Sequence, residues 1–325
     1  MAGPRFRGAA PGAGYLRQPP PPLRRVEPRR RILRLPDLPR VGTRKAFLFL
    51  RSLTALVAIP VLIGAIWLGA PWLTILAALA GVVAICELYR MTPTSVGPLP
   101  VVLGGAWVLA LIFGGQVASG RDNFLIISAG ISAVGAFAAI LWSIAFYNGK
   151  DFFAGLLYLA LGPLYVGFLL AHGLILRDMT GPDTEVRVEL GLAWLLFAVL
   201  VTFATDTGAF LVGRSIGSRP LAPVLSPNKT WEGSVGGFAA AVGAALLLGV
   251  VIDLQIAVWQ QAVAGAVLGV VTQWGDLLES KLKRVADVKD AGSIIPGHGG
   301  LLDRLDSLLF ALPAVYYLLT TVFVP

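Results

Sequence analysis

The sequence predicts an all-α polytopic membrane protein of about nine transmembrane helices, with the N-terminus cytoplasmic and the C-terminus outside. Three observations carry that prediction. Hydrophobic residues make up 56% of the 325 residues and charged residues 14%, whereas soluble domains carry about 25% charged residues. Apolar stretches long enough to cross a bilayer recur from residue 52 to the end of the chain. Lys and Arg are placed so unevenly that a nine-span topology puts 23 of the 26 on one side, and such a bias orients membrane proteins with that side inside the cell.

The first 45 residues are rich in Pro, Arg and Gly and hold little that could be buried, so they read as a disordered cytoplasmic tail. Residues 1–51 contain 13 Lys/Arg against Glu27 and Asp37. Such a tail is either simply solvated or adsorbed to anionic lipid headgroups. Nucleic-acid binding would need a folded basic surface, so no nucleic-acid partner is expected. Arg44, Lys45 and Arg51 before an apolar run imitate a signal peptide, but no small-residue cleavage site follows, which favours an uncleaved first span.

The spans are placed near Ser52–Leu68, Trp72–Leu88, Leu99–Gly115, Phe124–Phe146 and Phe152–Leu176, then Leu190–Val212, Gly236–Ile252, Ile256–Trp274 and Leu305–Val324. Pro60, Pro163 and Pro313 fall inside them and are expected to kink their helices. This division gives a tail (1–45), an N-terminal set of helices (46–199) and a C-terminal catalytic region (200–325). It places the polar loops 213–235 and 275–304 together on the cytoplasmic side. Cys86 is the only cysteine, so an intramolecular disulfide and a Cys-rich metal site are both excluded. With His172 and His298 the only histidines, Zn²⁺ is not expected either.

Polar residues with chemical potential crowd into the last third. Asp206 lies within an apolar span, where a carboxylate normally faces a cavity, a cation or a basic partner. The stretch from Gly213 to Gly233 has too many Pro and Gly for a regular helix, and it offers Arg214, Arg219, Ser226, Asn228, Lys229 and Thr230 as donors suited to phosphate oxygens. It is not a Walker A loop. Ser280–Asp306 packs five basic and four acidic side chains between apolar spans. Asp276 and Glu279 are spaced i, i+3, as are Asp303 and Asp306, so each pair shares a helix face. Lys283 and Arg284 lie two turns beyond Asp276, and Lys289 and Asp290 precede the turn Pro296–Gly300. That turn lets backbone N–H groups approach an anion and start the last helix near Leu301. Carboxylates beside phosphate-binding cations are the ingredients of Mg²⁺-assisted phosphoryl or nucleotidyl transfer. His298 reads equally as an acid–base group or as a histidine bonded to phosphate or backbone, and His172 as a core residue. Glu87 either enters the same cavity or pairs with Arg90.

Ser280–Asp306, read as S-K-L-K-R, K-D-A-G and I-P-G-H-G-G-L-L-D-R-L-D, resembles the signature of the phosphatidate cytidylyltransferase (CDP-diacylglycerol synthase) family. The preceding Q-W-G-D-L-L-E-S and the upstream L-A-P-V-L-S-P-N-K-T-W-E-G resemble it too, so the likeness covers roughly residues 200–310. The resemblance implies CTP and phosphatidic acid as substrates, CDP-diacylglycerol and pyrophosphate as products, and a Mg²⁺ requirement with room for a second cation. It also implies a homodimer in the cell membrane, in contact with its lipids. By position it implies Asp276 and Asp303 as metal-binding acids, with Lys283, Arg284 and His298 as their catalytic companions. Asp206, Arg214, Ser226, Asn228, Lys229, Thr230, Lys289, Asp290, Arg304 and Asp306 are expected to bind substrate. Two rivals are open on the sequence alone: a CTP-dependent polyprenol or phytol kinase, and an ion or solute transporter relaying through Asp206, Asp276 and Asp303. The kinase would release CDP. The transporter is disfavoured because no matching polar cluster occurs in the first half.

Overall fold

In a computed structural model the chain is described at residues 44–92, 97–147, 150–180, 189–292, 294 and 299–323. The basic tail and His298 therefore lie outside the described residues. The apolar runs form helices α1 (Arg44–Leu68), α2 (Trp72–Arg90), α3 (Pro98–Val117), α4 (Arg121–Phe146) and α5 (Lys150–Pro163). A π-helical turn, Leu164–Phe168, leads into α6 (Leu169–Arg177), so that α5 and α6 together make one span. The turn follows directly on Pro163, whose ring cannot donate the helical hydrogen bond. Then come α7 (Leu190–Ile216), strands β1 (Pro220–Ala222) and β2 (Ser226–Thr230), α8 (Trp231–Val251), α9 (Val258–Val285) and α10 (Leu302–Leu318), the last ending in a π turn, Leu319–Phe323.

Among the described residues, seven spans are long and apolar enough to cross a membrane. Two of the nine expected spans fall short of that measure, for different reasons. In α1 the apolar run among the described residues is the shorter Leu56–Leu68. In α9 the polar Gln260, Gln261 and Gln273 and the charges from Asp276 onward dilute an otherwise apolar helix. The surface suits a bilayer: Ile126 is 72% exposed and Val250 74%, as lipid-facing side chains must be where the solvent is hydrocarbon.

In the second half, α8 lies between α7 and α9, and α10 packs on α9, α7 and α6. Small residues make the α7–α8 approach possible. A Cβ at Gly208 would collide with Ala240, and one at Gly237 would sit 2.9 Å from the Thr205 carbonyl oxygen, so these helices meet backbone to backbone as small-residue membrane interfaces do. The loop between them, expected not to form a regular helix, is an antiparallel β1–β2 hairpin pairing Pro220 with Thr230 and Ala222 with Ser226.

Candidate active site

The site is assembled on α9, α10, the hairpin and α7. Helix α9 does not stop where its apolar stretch ends at Trp274. It continues as a polar extension to Val285, which places Asp276, Glu279 and Lys283 on one continuous face. The extension stops at Asp287, which takes a positive φ of 55°. There the Val288 N–H bonds back to the Lys283 carbonyl at 2.9 Å and the Asp287 N–H to Arg284 at 3.1 Å. These are the two bonds of a Schellman ending, which turns the chain back toward α10.

Helix α10 begins at Leu302, one residue past the expected start, and puts Asp303 and Asp306 opposite α9. Lys283 bridges the two helices, at 2.6 Å from Glu279 and 2.8 Å from Asp303. Asp303 also accepts the backbone N–H of Ala291 at 3.0 Å and that of Gly300 at 2.9 Å. The hairpin delivers Lys229 to Asp276 at 2.5 Å. Strand β2 passes directly into α8, where the Thr230 hydroxyl accepts the Gly233 N–H at 3.1 Å and caps the helix. Glu232 accepts from the Ser218 hydroxyl at 2.7 Å and so holds the start of the hairpin.

These elements enclose a cavity of about 700 Å³. It gathers most of the expected residues: Asp206 and Arg214 from α7, Asn228, Lys229 and Thr230 from the hairpin, Asp276 and Lys283 from α9, and Asp290, Asp303, Arg304 and Asp306 from the turn and α10. Three expected residues stand apart from its wall. Ser226 pairs across the hairpin with Ala222. Lys289 is exposed just past the end of α9. Arg284 donates to the Leu225 carbonyl at 3.1 Å and the Val288 carbonyl at 3.3 Å, tying the hairpin tip to α9.

Asp276 and Asp303, the expected metal-binding acids, both line the cavity and have different neighbours. Asp276, Glu279 and Asp306 bring ligand oxygens within 4.8 Å of one another, while Asp303 is held by Lys283 and two backbone N–H groups. Glu279 is fully buried. Burial, and after it the hydrogen bond with Asp303, pushes its pKa up to about 8. Burial pulls the Lys283 ammonium down, yet its bonds to Asp303 and Glu279 outweigh that and hold it above the usual lysine value. An all-oxygen carboxylate cluster is the donor set of a hard divalent cation, so the residues fit Mg²⁺.

Two further residues tie together the elements around the cavity; the sequence left the first unassigned and gave the second two readings. Gln273 spans α9 and α8, receiving the Ser234 hydroxyl at 2.5 Å and donating to the Ser234 carbonyl at 3.1 Å, and it lines the cavity. Its place in Q-W-G-D was the available signal. Glu87, from α2, reaches the start of α10 rather than Arg90, accepting the N–H of Leu301 at 3.1 Å and of Leu302 at 2.8 Å.

The pattern of the Cytidylyltransferase family matches residues 49–322. This chain belongs to that family. It is similar to the phosphatidate cytidylyltransferase of Bacillus subtilis, 35% identical over 271 residues, covering 83% of this chain and 96% of the relative. The protein of that name from Staphylococcus saprophyticus is 34% identical over 270 residues, covering 83% and 98%. The one from Staphylococcus epidermidis is 32% identical over 282 residues, again covering 83% and 98%.

Proposed function

We propose that the chain transfers the cytidylyl group of CTP to phosphatidic acid, releasing pyrophosphate and forming CDP-diacylglycerol. The observation that carries this reading is a cavity lined by Asp276, Asp306, Lys229 and Lys283, with the buried Glu279 carboxylate grouped with those of Asp276 and Asp306. Both reactants are anions. A phosphatidate oxygen attacks the α-phosphorus of CTP, and the bond from that phosphorus to the bridging oxygen of the β-phosphate breaks. Catalysis of such a step is mainly positioning and charge stabilisation.

In this reading Lys229, Arg214 and Arg304 neutralise the triphosphate and the leaving pyrophosphate, with Asn228 and Thr230 as neutral donors beside them. Asp276, shared between the acid cluster and Lys229, sits where the two charge systems meet. A Mg²⁺ bound by the cluster would screen the phosphates and polarise the reacting phosphorus. Asp303 serves by fixing Lys283, and a second cation sharing the acids stays part of the proposal. The attacking phosphate is already ionised at neutral pH, so the reading needs no strong base.

The cavity is placed at the cytoplasmic face, with residues 200–325 as the catalytic region and the earlier helices as its support. Support comes from the excess of Lys and Arg on that side, and nine spans with the C-terminus outside follow from it. Assembly as a homodimer belongs to the same reading and is checked by the mass of the detergent-solubilised particle. The reaction is tested with purified full-length protein, labelled CTP and phosphatidic acid, with Mg²⁺ or with EDTA. CDP-diacylglycerol and pyrophosphate are expected only with Mg²⁺; release of CDP would mean phosphoryl transfer and overturn the proposal.

A further inference from the structure

We propose that Glu87 is a positioning residue of the active site, acting from the second helix of the chain on the first turn of the last. Its carboxylate is fully buried. Each oxygen accepts one backbone N–H at the start of α10, Oε1 from Leu301 at 3.1 Å and Oε2 from Leu302 at 2.8 Å. The first N–H groups of a helix have no partner within it and carry partial positive charge, so a carboxylate is the group best suited to hold them. Here the carboxylate comes from a helix more than 200 residues earlier in the chain.

What connects this contact to the chemistry is the next amide back. Gly300 sends its N–H to Asp303 at 2.9 Å rather than to Glu87. The two carboxylates thus divide three consecutive amides between them, and they flank Gly300 closely. A Cβ there would sit 2.9 Å from Glu87 Oε2 and 3.0 Å from Asp303 Oδ2. On the other side a Cβ at Gly292 would run into Glu87 Oε1. Gly292 therefore leaves room for this side chain, and Gly300 for it, for Asp303 and for the Gly292 backbone nitrogen, which would lie 2.7 Å from a Cβ there. Asp303 in turn holds Lys283, which holds Glu279. Glu87 does not line the cavity itself, and its route to the cavity is this chain of contacts.

The alternative is a capping role that adds stability and nothing more. Two variants separate the readings. Glu87→Gln keeps the shape but replaces one acceptor by an N–H₂ facing a backbone N–H. Gly292→Ala crowds the carboxylate from behind without removing it, and serves if the first variant does not fold. Full-length protein is purified in detergent, and turnover is measured per folded, monodisperse molecule across CTP and Mg²⁺ concentrations. We expect kcat to fall on the order of 10- to 100-fold, the scale of losing a bond to a charged group. KM for CTP should change less than about threefold, and the Mg²⁺ activation midpoint should move to higher concentration. A lower melting temperature with kcat and the Mg²⁺ midpoint unchanged would overturn the proposal.

The proposal rests on the reaction proposed above, so a readout free of that reaction accompanies it. Hydrogen exchange of peptides covering residues 299–306 should quicken in Glu87→Gln while those from α7 stay as in the parent. Unchanged exchange at 299–306 would overturn the positioning role. A parent protein that makes no CDP-diacylglycerol would count against the reaction alone.

Discussion

At the scale of single residues, the site is defined by which carboxylate is free to face a cation and which is already engaged. Among the described residues Asp276 pairs with the ammonium of Lys229, and it shares the acid cluster with Glu279 and Asp306. Asp303 is surrounded by Lys283 and two N–H groups. Asp276→Asn should therefore reduce turnover on the order of 100-fold or more, as removal of a principal charge-stabilising group does, with little change in yield of folded protein. Asp303→Asn should instead free Lys283 beside the fully buried Glu279 and reduce both turnover and melting temperature. Paired activity and melting measurements distinguish the two. The i, i+3 spacing made Asp276 and Glu279 legible as neighbours. That Asp306 lies beside them while Asp303 faces Lys283 was not legible, because two acids three apart on α10 differ only in how the helix is rotated against α9.

At the scale of elements, the hairpin and the α7–α8 pair hold the cavity's second wall. Lys229 reaches Asp276 because β2 runs without a break into α8, with Thr230 as the cap. Thr230→Ala should lower stability by about 1 kcal/mol, the usual worth of an N-cap, seen as a reduced melting midpoint in detergent. Helices α7 and α8 meet through Gly208, Gly237 and small neighbours. Gly208→Leu should force them apart at about 1–3 kcal/mol, the cost of overpacking. Because Asp206 and Arg214 ride on the same helix, it should also weaken CTP binding, measured as a raised KM. The Pro- and Gly-rich loop was recognisable as non-helical from composition. Its folding into paired strands was not, since strands this short owe their existence to Glu232 and Arg284 holding both ends.

At the scale of the whole molecule, the charged cavity belongs to one end of an otherwise apolar bundle, and the proposed orientation turns that end inward. Val224, at the hairpin turn, is 86% exposed. In a Cys86→Ala background, Val224→Cys should react with a membrane-impermeant maleimide in inverted vesicles and be protected in right-side-out ones. The reverse pattern would refute the cytoplasmic placement.

The amino-acid sequence by itself determined the membrane class, the approximate position of the spans and the stretch where charged residues gather. Hydropathy, charge bias and a dense polar segment are local properties, and no knowledge of neighbours is needed to read them. Only the tertiary structure decided that α9 carries its helix eleven residues past Trp274, that Glu279 and Asp306 join Asp276, and that Glu87 anchors the last helix. Spacing along a helix states which side chains share a face, but not which face meets which neighbour. That is settled by packing between segments far apart in the chain, here through glycines whose missing Cβ atoms let a buried carboxylate reach across.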